Sequence, residues 1–401
     1  MAVRSNVDKT KKTLLLGAGA AACAIASPGQ YAFAMQPLGG VRASSALAQK
    51  RVSVREGLAG VAPTPAGMVA GGALATGLIG ALAKRSARKS ARTAASAVMQ
   101  QATQKLTQPA PFLDGVDIFI FDCDGVIWRG DSLIEGIPNV LSKLRQAGKK
   151  IFFVTNNSTK SRAGYKGKFT SLGLDVNPEE IFSSSFAAAA YLEKTNFKAT
   201  GKRVYIIGER GISEELDLIG VPWAGAESFK DMVPFMGPGG KMEVDEDVGA
   251  VIVGFDRHIN YYKLQYAQLC LNEIPGCQFI ATNLDRVTHL TDAQEWAGNG
   301  TMVGAVEGCT GMKAHVVGKP APLMIEYLEE KFGIKDRSRI CMVGDRLDTD
   351  IAFGNNNGLQ TVLTLSGVTT EDELLNKAPR KSGTEGINPE FYVNTINDFF
   401  P

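Results

Sequence analysis

Asp117-Ile-Phe-Ile-Phe-Asp-Cys-Asp-Gly125 decides how this chain folds. Residues 117–121 form a short apolar and aromatic run, the pattern of a parallel strand buried on both faces. Two carboxylates, Asp122 and Asp124, and a glycine follow at once, so the strand ends in a charged turn. Downstream, Ile134 to Ala147 places apolar residues at Ile137, Val140, Leu141 and Leu144, a helical period that Gly148 stops. Ile151-Phe-Phe-Val154 reads as a second strand running into Thr155-Asn-Asn-Ser158. Strand, helix and strand with polar strand ends make a βαβ unit, whose ligands sit beyond the carboxyl ends of the strands.

Two more strand ends extend the pattern. Ala314-His-Val-Val317 runs into Gly318-Lys-Pro320, and Arg339-Ile-Cys-Met-Val343 runs into Gly344-Asp-Arg-Leu-Asp-Thr-Asp350. Both are expected in the sheet that holds the first two. Between the second and third strand ends lies an insertion of domain size, residues 198–311. It has strand-like runs at 203–207, 250–254 and 278–282, a helical stretch at 261–271, and a Gly-, Pro- and acid-rich segment, 237–249, expected as an exposed loop. The expected fold is α/β: a doubly wound, Rossmann-like parallel sheet in two pieces, 111–197 and 312–401, with an inserted α/β domain. No internal repeat is present.

The four strand ends offer an Asp pair, a hydroxyl with amides, a lysine, and further acids. A divalent cation held by carboxylates, a fixed positive charge and several donors are what phosphoryl transfer needs, because charge spreads over the equatorial oxygens while a nucleophile attacks in line. Asp-x-Asp alone would be a weak signal, since loop acids are usually solvated. All four segments, in order and each at a strand end, form a strong one.

Asp122-x-Asp124-Gly-Val, Thr155-Asn-Asn157, Gly318-Lys319-Pro and Gly344-Asp345-x4-Asp350 resemble the four motifs of the haloacid dehalogenase-like phosphatases. The place of the insertion resembles the C2-capped subgroup. Asp122-Cys-Asp-Gly-Val-Ile-Trp-Arg-Gly130, Phe153-Val-Thr-Asn-Asn-Ser-Thr-Lys-Ser-Arg162 and Val253-Gly-Phe-Asp-Arg-His258 are similar to the phosphoglycolate phosphatase and 4-nitrophenylphosphatase branch. The resemblance covers residues 112–401 and implies roles. Asp122 is the nucleophile, forming an aspartyl-phosphate, and needs no base to ionise it. Asp124 protonates the leaving group and then activates water. Asp122, the backbone carbonyl of Asp124, and Asp345 bind a cation, and an all-oxygen set suits Mg²⁺ better than zinc. Asp350 orients the site from behind. Thr155, Asn156, Asn157 and Lys319 hold the phosphoryl oxygens. His258 of the cap is weighed as a substrate contact against a structural histidine, and the cap implies a homodimer.

Other residues have blander readings. Asp131 and Asp348 are expected to be solvated, Cys123 to pack behind the strand end, and His289 and His315 to be structural. Trp223 and Trp296 read as cap packing. Arg257 is either solvated or a fork donor to a substrate carboxylate, solvation being the default. The six cysteines include no C-x-x-C pair, so neither zinc nor a redox motif is indicated.

Composition separates the first quarter from the rest. The 401 residues are 44% hydrophobic and 21% charged, a globular balance with a net charge of +2. Through Ala110 there are 14 Lys and Arg against 2 Asp and Glu, so the body is net acidic and offers nucleic acid no basic surface. Lys9-Thr-Lys-Lys12, the uncharged stretch 13–27 and Ala32-Phe-Ala34 read as a secretory signal peptide, 1–34. Residues 35–110 are basic and Ser-rich like a transit peptide. They include a second uncharged run, 66–83, of which 11 of 18 residues are Gly or Ala, followed by an Arg- and Lys-rich cluster. That series resembles the multi-part leaders used to enter plastids bounded by more than two membranes, with membrane contact only during import. A secreted or membrane-anchored enzyme is the alternative, and the leader is expected to be mostly unstructured.

The expected activity is Mg²⁺-dependent hydrolysis of a small phosphorylated metabolite, with 2-phosphoglycolate favoured by the resemblance together with the plastid-like leader. 2-Phosphoglycolate arises in photorespiration, where carbon fixation misfires with oxygen. Rivals are a broad-range phosphatase of the same branch (pyridoxal phosphate, glycerol phosphate, 4-nitrophenyl phosphate), a phosphotransferase or mutase, and a non-catalytic phosphate-binding protein.

Overall fold

The computed structural model describes residues 103–401 except 289, 292 and 293. The signal segment, residues 35–102 of the transit-like stretch and the second apolar run within it lie outside the described residues, as does His289. Among the described residues no helix is long and apolar enough to cross a membrane.

Ile118–Phe121 is an interior strand of a seven-stranded sheet. Its order is Gln104–Lys105, Phe391–Val393, Gln360–Thr364, Ile340–Gly344, Ile118–Phe121, Lys150–Thr155 and Ile181–Ser183, parallel throughout. All four residues of Ile118–Phe121 are buried, and alternate ones enter different cores, as the two-residue period of a strand requires. Ile118 and Ile120 pack with Phe152, Phe182 and Ile340, while Phe119 and Phe121 pack with Phe153, Cys341 and Val343. Each such side chain contributes about 1.5–3 kcal/mol on burial. The chain leaves this strand toward Lys150–Thr155 on one side and returns on the other as Ile340–Gly344. The switch in direction opens a crevice beyond Phe121, where Asp122 sits.

The helix expected over 134–147 forms as Ile137–Gln146, burying Ile137, Val140, Leu141 and Leu144. Gly136 precedes it with φ +83°, a left-handed turn suited to glycine.

The insertion builds a second parallel sheet, ordered His315–Val316, Gln278–Ala281, Val248–Val253, Arg203–Ile207 and Trp223–Gly225. Helices Tyr261–Glu273 and Asn299–Thr310 cover one face through Tyr266, Ala267, Met302, Val303 and Val306. The opposite face, with Val204, Ile206, Ala250 and Ile252, joins a cluster that runs through helix Ser184–Lys194 into the core sheet.

Three expectations are corrected here. The run 314–317 was assigned to the core sheet, but His315–Val316 pairs with Gln278–Ala281 at the edge of the inserted sheet. A short apolar strand fits either sheet, and register decides which. The core also begins before residue 111: Gln104–Lys105 pairs with Phe391–Tyr392, and Leu106 is buried. These bonds are main-chain, so two polar residues gave no pattern to find. Finally, Trp223 packs as expected, but Trp296 is 40% exposed, with its indole nitrogen donating to Thr291.

Candidate active site

The strand ends meet at three carboxylates. Asp122, Asp345 and Asp350 are buried, and one oxygen of each lies within 4.8 Å of the others. Lys319 closes the cluster. Its ammonium, 1% exposed, donates to Asp122 Oδ1 at 2.6 Å, Asp350 Oδ1 at 2.6 Å and the Val154 carbonyl at 2.8 Å. Asp122 is fixed through its amide, which donates to the Val343 carbonyl at 2.9 Å. The second Asp350 oxygen accepts from the amides of Asp345 and Arg346 at 3.2 and 3.1 Å, so Asp350 is fully committed. Gly125 allows the close approach: its φ is +83°, and a Cβ there would sit 2.5 Å from Asp345 Oδ2.

The electrostatics follow from three buried acids around one cation. Burial pushes the Asp122 carboxyl well above the usual range, against the pull of Lys319 and with the push of Asp350 and Asp345. Burial, then the charge of Asp350, raises Asp345 to about 7. Burial alone would lower Lys319, but Asp122 and Asp350 outweigh it and raise it well above an ordinary lysine. A divalent cation would relieve the excess negative charge. The donors fit one: Asp345 Oδ2 accepts from the Val368 amide at 2.7 Å, while Asp345 Oδ1 is buried with no hydrogen-bond partner among the described residues. The donor set is all oxygen, as Mg²⁺ prefers.

Asp124 stands apart from this cluster. It is exposed, and its Oδ1 accepts from the Trp128 indole at 2.8 Å. Trp128 is buried edge-on against Phe169, ring centroids 4.9 Å apart, so the rim carboxylate is anchored to the core. Sequence reasoning passed over Trp128, although it lies four residues on from Asp124.

The second strand end divides its residues. Thr155 is buried and accepts from the Asn157 amide at 3.2 Å, while Asn157 Oδ1 accepts from both the amide and the hydroxyl of Thr159. Asn156 was expected to hold phosphoryl oxygens, but its side chain is committed elsewhere. It donates to the Lys319 carbonyl and to Asp285 Oδ1, and accepts from the Lys319 amide. Residues at a strand end alternate in direction, and Asn156 takes the side of the Lys319 main chain. Asp285, at the end of strand Gln278–Ala281, was missed; its only trace in the sequence is the polar run after that strand.

The inserted domain meets the core beside this site. Gly211 packs against the loop 158–160, where a Cβ would lie 2.5 Å from the Lys160 backbone. The Phe255 amide donates to Ser158, and buried Glu215 receives both the amide and the guanidinium of Arg162. His258 is exposed on the loop after Val248–Val253, its amide donating to Asp256, and does not join the acid cluster. Arg257, solvated by default, is exposed and also forms a two-pronged pair with Glu209 at 2.7 Å on each arm. Burial would raise the Glu209 carboxyl, but the bonds from Arg257 together outweigh it and hold it below the usual range. Asp348 likewise is not simply solvated, being paired with Arg346 at 2.9 Å. Asp131 is solvent-exposed, Cys123 is buried, and His315 packs against Tyr191 with tilted rings, centroids 4.5 Å apart.

Residues 119–222 match the Haloacid dehalogenase-like hydrolase family and residues 316–399 the HAD-hydrolase-like family. The chain is 57% identical over 298 residues to phosphoglycolate phosphatase 1A, chloroplastic, of Arabidopsis thaliana, covering 74% of this chain and 80% of the relative. It therefore belongs to the haloacid dehalogenase-like hydrolases, in their phosphatase branch. Its fold matches the p-nitrophenyl phosphatase from Archaeoglobus fulgidus, with a TM-score of 0.59 and 31% identity over 71% of this chain and 97% of that one. It also matches a glycerol phosphate phosphatase from Mycobacterium tuberculosis in complex with magnesium, with a TM-score of 0.57 and 26% identity over 72% and 77%.

Proposed function

We propose that this protein is a magnesium-dependent phosphatase that converts 2-phosphoglycolate to glycolate and phosphate, working in a plastid. The observation that carries the chemistry is Lys319 bridging Asp122 and Asp350 beside Asp345. The likeness to the Arabidopsis phosphatase supports the substrate, and that relative's chloroplastic location, together with the basic leader, supports the compartment.

In this reading, a carboxylate oxygen of Asp122 attacks phosphorus and the bond to the glycolate oxygen breaks. Asp124, at the exposed rim, gives its proton to that departing oxygen. The aspartyl-phosphate on Asp122 is then attacked at phosphorus by water, whose proton returns to Asp124, freeing phosphate and regenerating both acids. Lys319 keeps Asp122 in place and balances negative charge through both steps. Asp350 stays committed to Lys319 and two amides, so it orients rather than reacts. Asp122 and Asp345, with the main-chain carbonyl of Asp124, would hold Mg²⁺, which when bound supplies positive charge to the phosphoryl oxygens. Thr155 and Asn157 are assigned to the phosphoryl oxygens, and His258 to the substrate entrance.

The test is phosphate release with Mg²⁺ from 2-phosphoglycolate, glycerol 3-phosphate, pyridoxal phosphate and 4-nitrophenyl phosphate. A preference for 2-phosphoglycolate of about tenfold or more in kcat/KM, roughly 1.4 kcal/mol, is expected. Comparable rates on all four would leave a broad-range phosphatase and withdraw the specific substrate.

A further inference from the structure

Lys319 is held at both ends, and the core residue that holds its main-chain end is itself bonded to the inserted domain. The ammonium meets Asp122, Asp350 and the Val154 carbonyl. At the main chain, Asn156 Oδ1 accepts from the Lys319 amide at 2.9 Å and Asn156 Nδ2 donates to the Lys319 carbonyl at 3.0 Å. One planar amide thus grips both polar groups of the lysine backbone. A primary amide can flip, exchanging its donor and acceptor faces, and a flipped Asn156 would oppose donor to donor and acceptor to acceptor.

Asp285 selects the correct face. Its Oδ1 accepts from Asn156 Nδ2 at 2.9 Å, and a carboxylate accepts only from the nitrogen side of an amide. Asp285 comes from the inserted domain, 129 positions along the chain. The surrounding bonds fix it firmly. Its amide donates to Asn283 Oδ1 at 3.1 Å, and its carbonyl accepts from the Gly300 amide at 2.8 Å, at the start of helix Asn299–Thr310. Asn283 also donates to the Asn156 carbonyl at 2.6 Å, and Asn299 donates to the Asn283 carbonyl at 2.8 Å.

We propose that Asp285 is a positioning residue for the reaction, acting through Asn156 on the backbone of Lys319. It touches neither substrate nor reacting atoms. Its effect is to fix the lysine main chain so that the ammonium meets the Asp122 carboxylate, and misplacement of such a group by about 1 Å can cost on the order of 10² in rate. The arrangement also makes the inserted domain's strand-end loop part of what aligns the core's catalytic lysine.

The inference rests on Lys319 serving the phosphoryl site, and the experiment keeps the two ideas separate. The full-length enzyme is compared with Asp285→Ala, Asp285→Ser, Asp285→Asn, Asn156→Ala, the Asp285→Ala/Asn156→Ala double variant, and Lys319→Met, using phosphate release and thermal unfolding. Asp285→Ala is expected to lower kcat about 10- to 100-fold with KM changed less than about threefold, since the loss is alignment and not ground-state binding. Asp285→Asn keeps an oxygen acceptor for the Asn156 nitrogen and is expected to recover kcat to within about fivefold of the parent. The double variant should be no slower than the worse single variant, because both break one chain of contacts.

An unchanged kcat in Asp285→Ala overturns the proposal, as does an Asn variant as slow as the Ala variant, or single losses that multiply in the double variant. If Ala and Ser both fail to fold, Asp285 is a structural residue and the proposal falls as well. If Lys319→Met retains normal turnover, the role of Lys319 fails first. If Lys319→Met is inactive while Asp285→Ala is normal, only the positioning role fails.

Discussion

Replacing Lys319 by methionine removes the ammonium that bridges two of the three buried acids. Methionine nearly matches the lysine stem in volume, so the change deletes charge and hydrogen bonds with little cavity. Three bonds are lost, two to carboxylates, at a side chain 1% exposed. Removing one partner of a buried ion pair costs about 3–5 kcal/mol, because the remaining charge is left without compensation. For a protein of this size that is on the order of 5–10 °C in Tm. The loss should depend on pH with a definite sign. Burial already raises the Asp122 carboxyl, and without Lys319 it rises further. An acid whose folded pKa lies above its unfolded value costs stability once pH exceeds the unfolded value, about 3.9, and the cost grows until the folded pKa is passed. The variant should therefore lose more relative to the parent at pH 8 than at pH 5, and Mg²⁺ should restore part of the loss at pH 8. Calorimetric or circular-dichroism melts of both proteins, at both pH values and with and without Mg²⁺, read this out, and phosphate release should fall by at least about 10². An unchanged Tm with normal turnover, or equal losses at both pH values, would refute the reasoning.

Asp122→Asn is isosteric, so the fold should persist while turnover drops by roughly 10⁴ or more, as for loss of a nucleophile elsewhere; residual activity near the parent's would remove Asp122 from that role. Because Asp345 is raised to about 7, protons compete with the cation, and Mg²⁺ affinity measured by calorimetry should weaken by up to roughly tenfold per pH unit below that value. Asp345→Asn should weaken Mg²⁺ more than substrate and flatten this dependence, and an unchanged Mg²⁺ requirement would count against Asp345 as a ligand. Gly211→Ala forces a methyl toward the Lys160 backbone, which should cost about 1–3 kcal/mol by overpacking and lower activity by displacing the inserted domain; a melt and rate identical to the parent's would show the junction to be compliant.

The core of the site was legible because its residues announce themselves locally. Asp122 and Asp345 follow buried strands directly, Asp350 stands in the helical turn Leu347–Ile351 just after the second, and acids after an apolar strand are visible in one dimension. Lys319 was found the same way, though the strand before it belongs to the other sheet. What stayed hidden depends on pairing across the fold. Asp285 is unremarked in its own loop and gains meaning only from Asn156. Asn156 and Asn157 look alike in sequence, yet strand-end alternation sends one to the Lys319 backbone and leaves the other bonded to Thr159. Gln104–Lys105 joins the sheet through main-chain bonds that leave no mark on side-chain pattern. Glu215 sits in an ordinary amphipathic helix, and only the docked domains show it buried against Arg162.

The central claim is that Asp122 carries the phosphoryl group between two displacements. The most direct measurement is the stereochemistry at phosphorus for the full-length enzyme, using a thiophosphoryl analogue of 2-phosphoglycolate made chiral with one oxygen isotope and hydrolysed in water enriched in another. Two in-line displacements, first by Asp122 and then by water, invert twice and predict net retention. Net inversion would mean that water attacks the substrate directly, and Asp122 would then be a charged bystander rather than the nucleophile.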